Sequence, residues 1–434
     1  MSAPPARRAL LRQRAFLGYL GQSVGSRTAT TVVGLCLVWF VYAATGSAVA
    51  VGILAVAQSL AALLATLPAG SIVDRFDRRT MLGIAHAIRG LSVGLLAVLA
   101  LWGGFRLGDL VALAVALSAS TELYRSSTHA VLPDLIPADQ LTDANGLDRA
   151  STSIVGALSS AVAGGLILAL GVAAGFTFAA AAYVVAMALA ILWIPRGAPV
   201  DPAAAKPRGL GLAAMIRDLR EAGRWLVGSA GLFQLSLSAT AFNFLLTASF
   251  SFLVVYFVSG AHSGPLLFGG ALAGYAVGDV VGALAVGRTP ALRSAGRVWV
   301  LGNGLIGGLM ILGLGLLPDP FFIVADMVLL GAVFAFAGNV WLTAAQNLVP
   351  RQMRGRYFAI DGWLSFVSGP PAIAVGALLI AGLGVLPAFT LLGALLTAAG
   401  AGFYLLPRLR ELDGRRPEAP DLPPPNPGER PDLG

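Results

Sequence analysis

Long apolar runs, each separated from the next by a few polar or turn-forming residues, repeat along this chain. A membrane-crossing helix needs about 20 mostly apolar residues, and by that measure twelve runs qualify. The first six cover residues 15–44, 48–73, 81–102, 107–132, 147–170 and 176–194. The second six cover 232–258, 266–287, 298–317, 321–346, 358–383 and 387–406. Between the two sets lies the longest internal hydrophilic stretch, Pro- and Ala-rich at first and then with helical spacing over 212–225.

A second regularity links the two sets. Adding 213 to the residue number carries Leu135, Pro137, Asp148 and Gly156 onto Leu348, Pro350, Asp361 and Gly369, and Arg75 onto Arg288. Chance matching of apolar letters does not hold Pro, Asp, Gly and Arg in one register, so the halves read as duplicates in parallel arrangement. The predicted fold is therefore an all-α membrane protein of twelve transmembrane helices in two homologous six-helix bundles. The expected domains are an N-terminal bundle at 1–194, a cytoplasmic linker with an amphipathic helix at 195–226 and a C-terminal bundle at 227–406. A disordered cytoplasmic tail, too poor in apolar groups to offset ordering entropy, is expected at 407–434.

Composition agrees with the pattern and removes alternatives. Hydrophobic residues make up 57% of the chain and charged residues 12%, with mean hydropathy +0.81. That is far from a soluble domain. The 54 glycines suit helices packing closely in lipid. The net charge of +8 sits on single basic residues in short loops and not on a stripe, which argues against nucleic acid. Cys36 is the only cysteine, so the chain has no internal disulfide and no Cys-based metal site. Histidines are dispersed, and no Gly-rich loop with Lys and Ser or Thr cradles a phosphate, so no enzyme, metal or cofactor is expected.

Arginine placement sets an orientation. With both termini placed in the cytoplasm, all but four of the 29 basic residues fall on the inner side or in the tail. Arg106 is outside, and Arg27, Arg89 and Arg125 lie within runs. Lys206 is the only lysine; with the Ala and Gly load this points to a GC-rich bacterial genome, hence a bacterial inner-membrane protein.

Residues 70–79 (GSIVDRFDRR) form a short charged loop between the second and third runs. With Gly70, Asp74, Arg75, Arg78 and Arg79, it resembles the loop signature of the major facilitator superfamily. Asp77 stands where that family usually has Gly. Together with residues 135–145 (LIPADQLTDAN) and 349–358 (VPRQMRGRYF), it is similar to the branch of macrolide and siderophore exporters. Exporters often carry Gly-Pro ahead of Gly-Gly in the fifth span. Here Ser160 and Ala161 precede Gly164 and Gly165, and Gly369 and Pro370 stand in the eleventh. The resemblance implies a conformational latch that forms when the cavity opens outward, with Asp148, Arg356 and Asp361 as candidate partners of the loop. Asp74 maps onto Gly287 in the repeat, so the second half lacks the same latch.

Charges inside the runs mark candidate transport chemistry, since they are costly there and face a cavity or a partner. Helix rise puts Arg27 about 18 Å, Glu122 about 15 Å and Arg125 about 10 Å from the inner ends. The family resemblance implies that the first, fourth, seventh and tenth spans line a central cavity, which would allow an Arg27–Glu122 pair. Glu122, Arg125 and His129 share one face at i, i+3, i+7. Glu122 suits a proton carrier, and a permanent ion pair is the alternative. Asn243 and Asn339 are candidate substrate hydrogen-bonders, with Phe242, Phe244, Trp341 and Gln58 as possible contacts. Asp279 and Asp326 are secondary proton sites. Arg89 and His86, in a span that is usually peripheral, are expected to pair structurally or snorkel.

The function expected from these readings is a monomeric, proton-coupled exporter (antiporter) of an amphipathic small molecule such as a drug, macrolide or siderophore, working by alternating access. An importer of a polar metabolite is the alternative on the same fold. A non-transporting membrane partner or sensor is the alternative of another class.

Overall fold

The computed structural model describes residues 10–73, 76–103, 106–137, 140–196, 223–224, 226–285, 294–349 and 354–406. Among these residues there is no strand, and twelve long helical segments follow one another. In the first half they are α1 (Arg14–Thr45), α2 (Ala48–Val73), α3 (Arg78–Trp102), α4 (Leu107–Leu135), α5 (Leu141–Leu170) and α6 (Val172–Trp193). In the second half they are α7 (Ala230–Phe250), α8 (Pro265–Ala285), α9 (Ala295–Trp299, Val300–Ile306 and Gly307–Leu316), α10 (Pro320–Leu348), α11 (Arg354–Leu383) and α12 (Val385–Leu405). Eleven are long and apolar enough to cross a membrane. The exception is α5, whose apolar part is confined to Ile154–Leu170. Most of the expected linker and all of the expected tail fall outside the described residues.

Helix ends depart from the apolar runs for local reasons. Apolar count alone starts the third span at Met81, but α3 begins at Arg78 because Asp77 caps it, accepting from Thr80 N at 2.9 Å and Thr80 Oγ1 at 2.7 Å. The residue that breaks the loop signature is thus a helix N-cap. The seventh span was expected unbroken over 232–258. Instead α7 stops at Phe250, and a short helix, Leu253–Val255, leads into a π-helical turn, Tyr256–Gly260. A second π-helical stretch, Val300–Ile306, carries Gly302 and Gly304 in α9. Wide turns of this kind bend a helix without losing its backbone bonds.

The packing repeats. In the first half α1 packs on α6 and α5, α3 on α6 and α4, and α2 on α4. In the second half α7 packs on α12 and α11, α9 on α12 and α10, and α8 on α10. Each pair in one bundle has its counterpart six helices later. The bundles meet through α5 with α8 and α2 with α11, a pairing that maps onto itself under the same exchange. Large apolar side chains such as Leu64, Leu101, Leu168, Leu192 and Leu378 point outward, as lipid-facing positions do.

Small residues set these distances, because lipid supplies no hydrophobic drive between helices and close backbone contact must. At the α5–α8 crossing, a Cβ on Gly164 would lie 2.6 Å from Pro265 O, and one on Gly269 would lie 2.6 Å from Ser160 O. Gly164, in the fifth span that departs from the exporter pattern, therefore forms the seam between the bundles. On α2, Gly52 faces Ala377 of α11, and the Tyr42 hydroxyl at the end of α1 bonds Ser259 Oγ beyond α7. All these contacts lie in the half of the molecule away from the start of α1, called the far end below. Inside the second bundle, Gly278 of α8 lies against the backbone of Val328 and Ala332 in α10.

Gly278→Ala is expected to lower stability by about 1–3 kcal/mol, as overpacking does when backbone must move. Thermal unfolding of the purified protein in detergent checks this; an unchanged midpoint would contradict the close packing of α8 on α10.

Candidate functional site

Within the first bundle, α1, α2, α4 and α6 line a partly open cavity of about 240 Å³. Its α1 wall is mostly apolar, with Val33, Gly34, Leu37 and Val38 beside Thr30. Its α2 and α4 walls bring Gln58, Ser118, Thr121 and Glu122. Glu122 is only 7% exposed. Arg125 Nη2, one turn along α4, donates to its Oε2 at 2.5 Å, and Thr66 Oγ1 of α2 lies 3.2 Å from the same oxygen. Thr66 also reaches Ala62 O at 2.8 Å. Its single proton can go to either acceptor, so it can donate to an ionised Glu122 or accept from a protonated one.

The other sequence candidates are dispersed. Arg27 does not pair with Glu122. It is exposed and lies against α5, where a Cβ on Gly156 would be 3.0 Å from its Nε. Arg125 takes its place because i, i+3 spacing on one helix needs no interhelical reach. Asn243 Nδ2 donates to Ser365 Oγ of α11 at 3.2 Å, and Asn339 Nδ2 donates to Ala335 O in its own helix at 2.8 Å. His129 is exposed.

In the loop signature, Gly70 lies in the last turn of α2, while Asp74 and Arg75 fall outside the described residues. Arg78 bonds Asp134 and, at 3.0 Å, Ala130 O, both on α4 of its own bundle. Arg79 follows it in the first turn of α3, half-buried. The Arg356 side chain is outside the described set.

Asp148 and Asp361 occupy matching environments. Ser23 of α1 hydrogen-bonds both Asp148 and Tyr19. Ser236 of α7 hydrogen-bonds Asp361 and, at 3.0 Å, the Tyr357 hydroxyl. Ser236 is Ser23 shifted by 213, just as Asp361 is Asp148 shifted by 213. Each aspartate keeps one buried oxygen, Oδ1, without a hydrogen-bond partner among the described residues. The repeat register contained this pair, but the tyrosines come from non-equivalent helices and left no sequence signal.

Of the two expectations for Arg89, structural pairing is what the structure shows and snorkelling is not: it is 1% exposed in the core of the bundle. Its Nη1 donates to Ser26 Oγ at 2.9 Å and its Nη2 to Thr30 Oγ1 at 2.6 Å. The guanidinium stacks 4.7 Å from the Tyr124 ring centroid and 4.4 Å from that of Tyr183. His86, one turn earlier, bonds Gln22 Oε1 at 3.0 Å through Nε2. Gln22, Ser26 and Thr30 recur every four residues on α1. That ladder is legible in the sequence as one polar face on an otherwise apolar run. Two aromatic faces and two hydroxyls solvate the buried cation.

Comparison with known proteins places this arrangement. The family model described as transmembrane secretion effector matches residues 7–425. The multidrug efflux pump Tap of Mycobacterium tuberculosis is 28% identical over 388 residues, 86% of this chain and 89% of that protein. Macrolide efflux protein A of Streptococcus pyogenes is 24% identical over 424 residues, 91% of this chain and 96% of that one. Among solved structures, a bacterial homolog of the human lysosomal transporter Spinster superposes with TM-score 0.66 at 15% identity, covering 96% of this chain and 100% of that chain. A peptide transporter in complex with sulfate superposes with TM-score 0.69 at 14% identity, covering 95% and 100%.

Arg89→Lys keeps the charge but cannot serve two hydroxyls while stacking on two rings. It is expected to cost about 1–3 kcal/mol of stability, read as a lower unfolding midpoint in detergent. A midpoint equal to that of the unsubstituted protein would contradict the solvation described for the guanidinium.

Proposed function

The chain belongs to the transmembrane secretion effector family of the major facilitator superfamily, and from that premise we propose that it is a proton-coupled exporter of an amphipathic small molecule. The single observation that carries this reading is Glu122: a nearly buried carboxylate on a cavity wall, with one partner suited to its charged form and one suited to its neutral form. When ionised it is held by Arg125, and when protonated it can donate to Thr66. A group with two satisfied protonation states in a low-dielectric site can exchange a proton for cargo. The efflux activities named for the two relatives support the outward direction.

The chain is read as a monomer, since one polypeptide supplies every residue lining the cavity, set in a bacterial cytoplasmic membrane with both termini inside. On that orientation the far end is the outer face. The α5–α8 and α2–α11 seams then close the outside, which corresponds to an inward-open state. In that state Arg78 pairs within its own bundle through Asp134. Asp148 and Asp361, each with a free oxygen, are the acceptors offered to the loop arginines when the inner side closes. Rocking of the bundles about the glycine seams supplies alternating access.

Purified protein in vesicles with an imposed pH gradient tests the proposal. Cargo flux should follow the gradient, and Glu122→Gln should reduce gradient-driven flux by at least about tenfold, as expected when a charge-assisted interaction is lost. Flux in that variant that still follows the gradient would remove Glu122 from proton coupling. Flux in the unsubstituted protein that ignores the gradient would overturn the coupling itself.

A further inference from the structure

We infer that Arg27 of α1 and Asp279 of α8 form an ion pair between the bundles when the inner side closes, and that this pair holds the outward-open state. The pair presupposes the alternating access proposed above and is independent of proton coupling at Glu122.

Most charges inside the helices are already accounted for. Glu122 and Arg125 hold each other, Arg89 is held by hydroxyls and rings, and Asp326 is 5% exposed near the far end of α10. Arg27 and Asp279 are left: both are exposed, and among the described residues neither has a partner of opposite charge. Both face the cleft between the bundles. Along α1, Arg27, Thr30 and Gly34 form one exposed stripe, and Thr30 and Gly34 line the cavity. Along α8, Leu266, Val277, Val281 and Leu284 form the lipid-facing stripe. At the helical repeat Asp279 lies on the opposite side, beyond the edge where Gly278 and Gly282 pack on α10.

Their depths match. At the far end α1 touches α8 directly, Trp39 against Phe268 with ring centroids 6.2 Å apart. From that contact Arg27 is about 18 Å inward along α1 and Asp279 about 17 Å inward along α8. The α5–α8 crossing gives a similar level. Arg27 lies at Gly156, about 12 Å inward of Gly164, and Asp279 lies about 15 Å inward of Gly269. Phe268 and Asp279 are about three turns apart, so the face of α8 that meets α1 at the far end presents Asp279 deeper in.

The duplication adds an independent sign. Exchanging the bundles by the 213-residue register turns Arg27 into Thr240 and Asp279 into Thr66. The α1–α8 approach thus carries both charges, and its counterpart between α7 and α2 carries neither. Charges serving separate purposes would have no reason to share one such position and be missing together from the other.

In the inward-open state the cleft admits water to each charge. Closing the inner side removes that water, which makes an unpaired charge costly there, whereas a guanidinium and a carboxylate at one depth satisfy each other. Asp279 is fixed to its own bundle, since a Cβ on Gly331 of α10 would lie 3.0 Å from its backbone N. Arg27 supplies the long arm that spans the gap.

The test places spin labels at Leu192→Cys and Leu405→Cys, exposed residues at the inner ends of α6 and α12, in the full-length chain carrying Cys36→Ala. Pulsed electron–electron resonance in nanodiscs, at acid and at neutral pH, gives the ratio of inner-closed (short) to inner-open (long) populations. Arg27→Gln and Asp279→Asn should each lower that ratio at least about tenfold, and Arg27→Asp combined with Asp279→Arg should return it to within about twofold. A residue acting only within its own bundle would not be rescued by the reversal. A ratio that ignores both single variants, or a reversal that restores nothing, would overturn the pair and leave alternating access standing. A single long distance in every protein would sink alternating access and the pair with it. Cross-linking of Arg27→Cys to Asp279→Cys by o-phenylenedimaleimide, in the unlabelled Cys36→Ala chain, checks the approach without relying on charge. A bridged product is expected; two distance populations with no bridged product would also overturn the pair.

Discussion

A bare charge in hydrocarbon is so costly that it governs where this chain can place its chemistry. Arg89 shows one solution. With no carboxylate among its described partners, it is held by two hydroxyls and two aromatic faces from three other helices, and in return it joins α1, α3, α4 and α6. Glu122 shows another, with a cation one turn away on its own helix and a hydroxyl across the gap that can reverse its hydrogen bond. The first arrangement bonds both terminal nitrogens of the guanidinium, leaves Nε without a partner among the described residues, and ties the bundle together. The second offers a partner for either protonation state, which is the property the proposed proton exchange requires.

Around these sites the bundles are assembled by small residues. Gly164 against Pro265 and Gly269, and Gly52 against Ala377, bring helices of opposite bundles to backbone distance at the far end. Seams of this kind make few directional bonds, so they can part as units while each bundle keeps its interior. The exchange symmetry of the two seams, α5 with α8 and α2 with α11, follows from the duplication and makes either end a place where the halves can meet. The matching Ser23–Asp148 and Ser236–Asp361 units extend the symmetry to polar groups.

The fold was largely legible because membrane helices are set by length and apolarity, and the 213-residue register carried the duplication. Helix starts were less legible, since caps such as Asp77 and polar first turns such as those of α5 lie outside any apolar window. The breaks near Phe250 and in α9 leave no mark on hydropathy. Of the site, Glu122 and Arg125 were found by intramembrane charge and helical spacing. Arg27 lies against α5 and not beside Glu122, because depth alone does not give the direction a side chain takes. Arg89 pairs structurally, one of the two outcomes its intramembrane position allowed, and the Gln22, Ser26, Thr30 ladder on α1 marks the face that receives it and His86.

The central claim is that Glu122 changes protonation state during function. Difference infrared spectroscopy of the purified protein, comparing acid with alkaline conditions, reads the carboxyl C=O stretch directly. A protonated-carboxyl band that appears on acidification, is lost on cargo binding and is missing from Glu122→Gln is the predicted result. A difference spectrum identical in the variant would contradict the account.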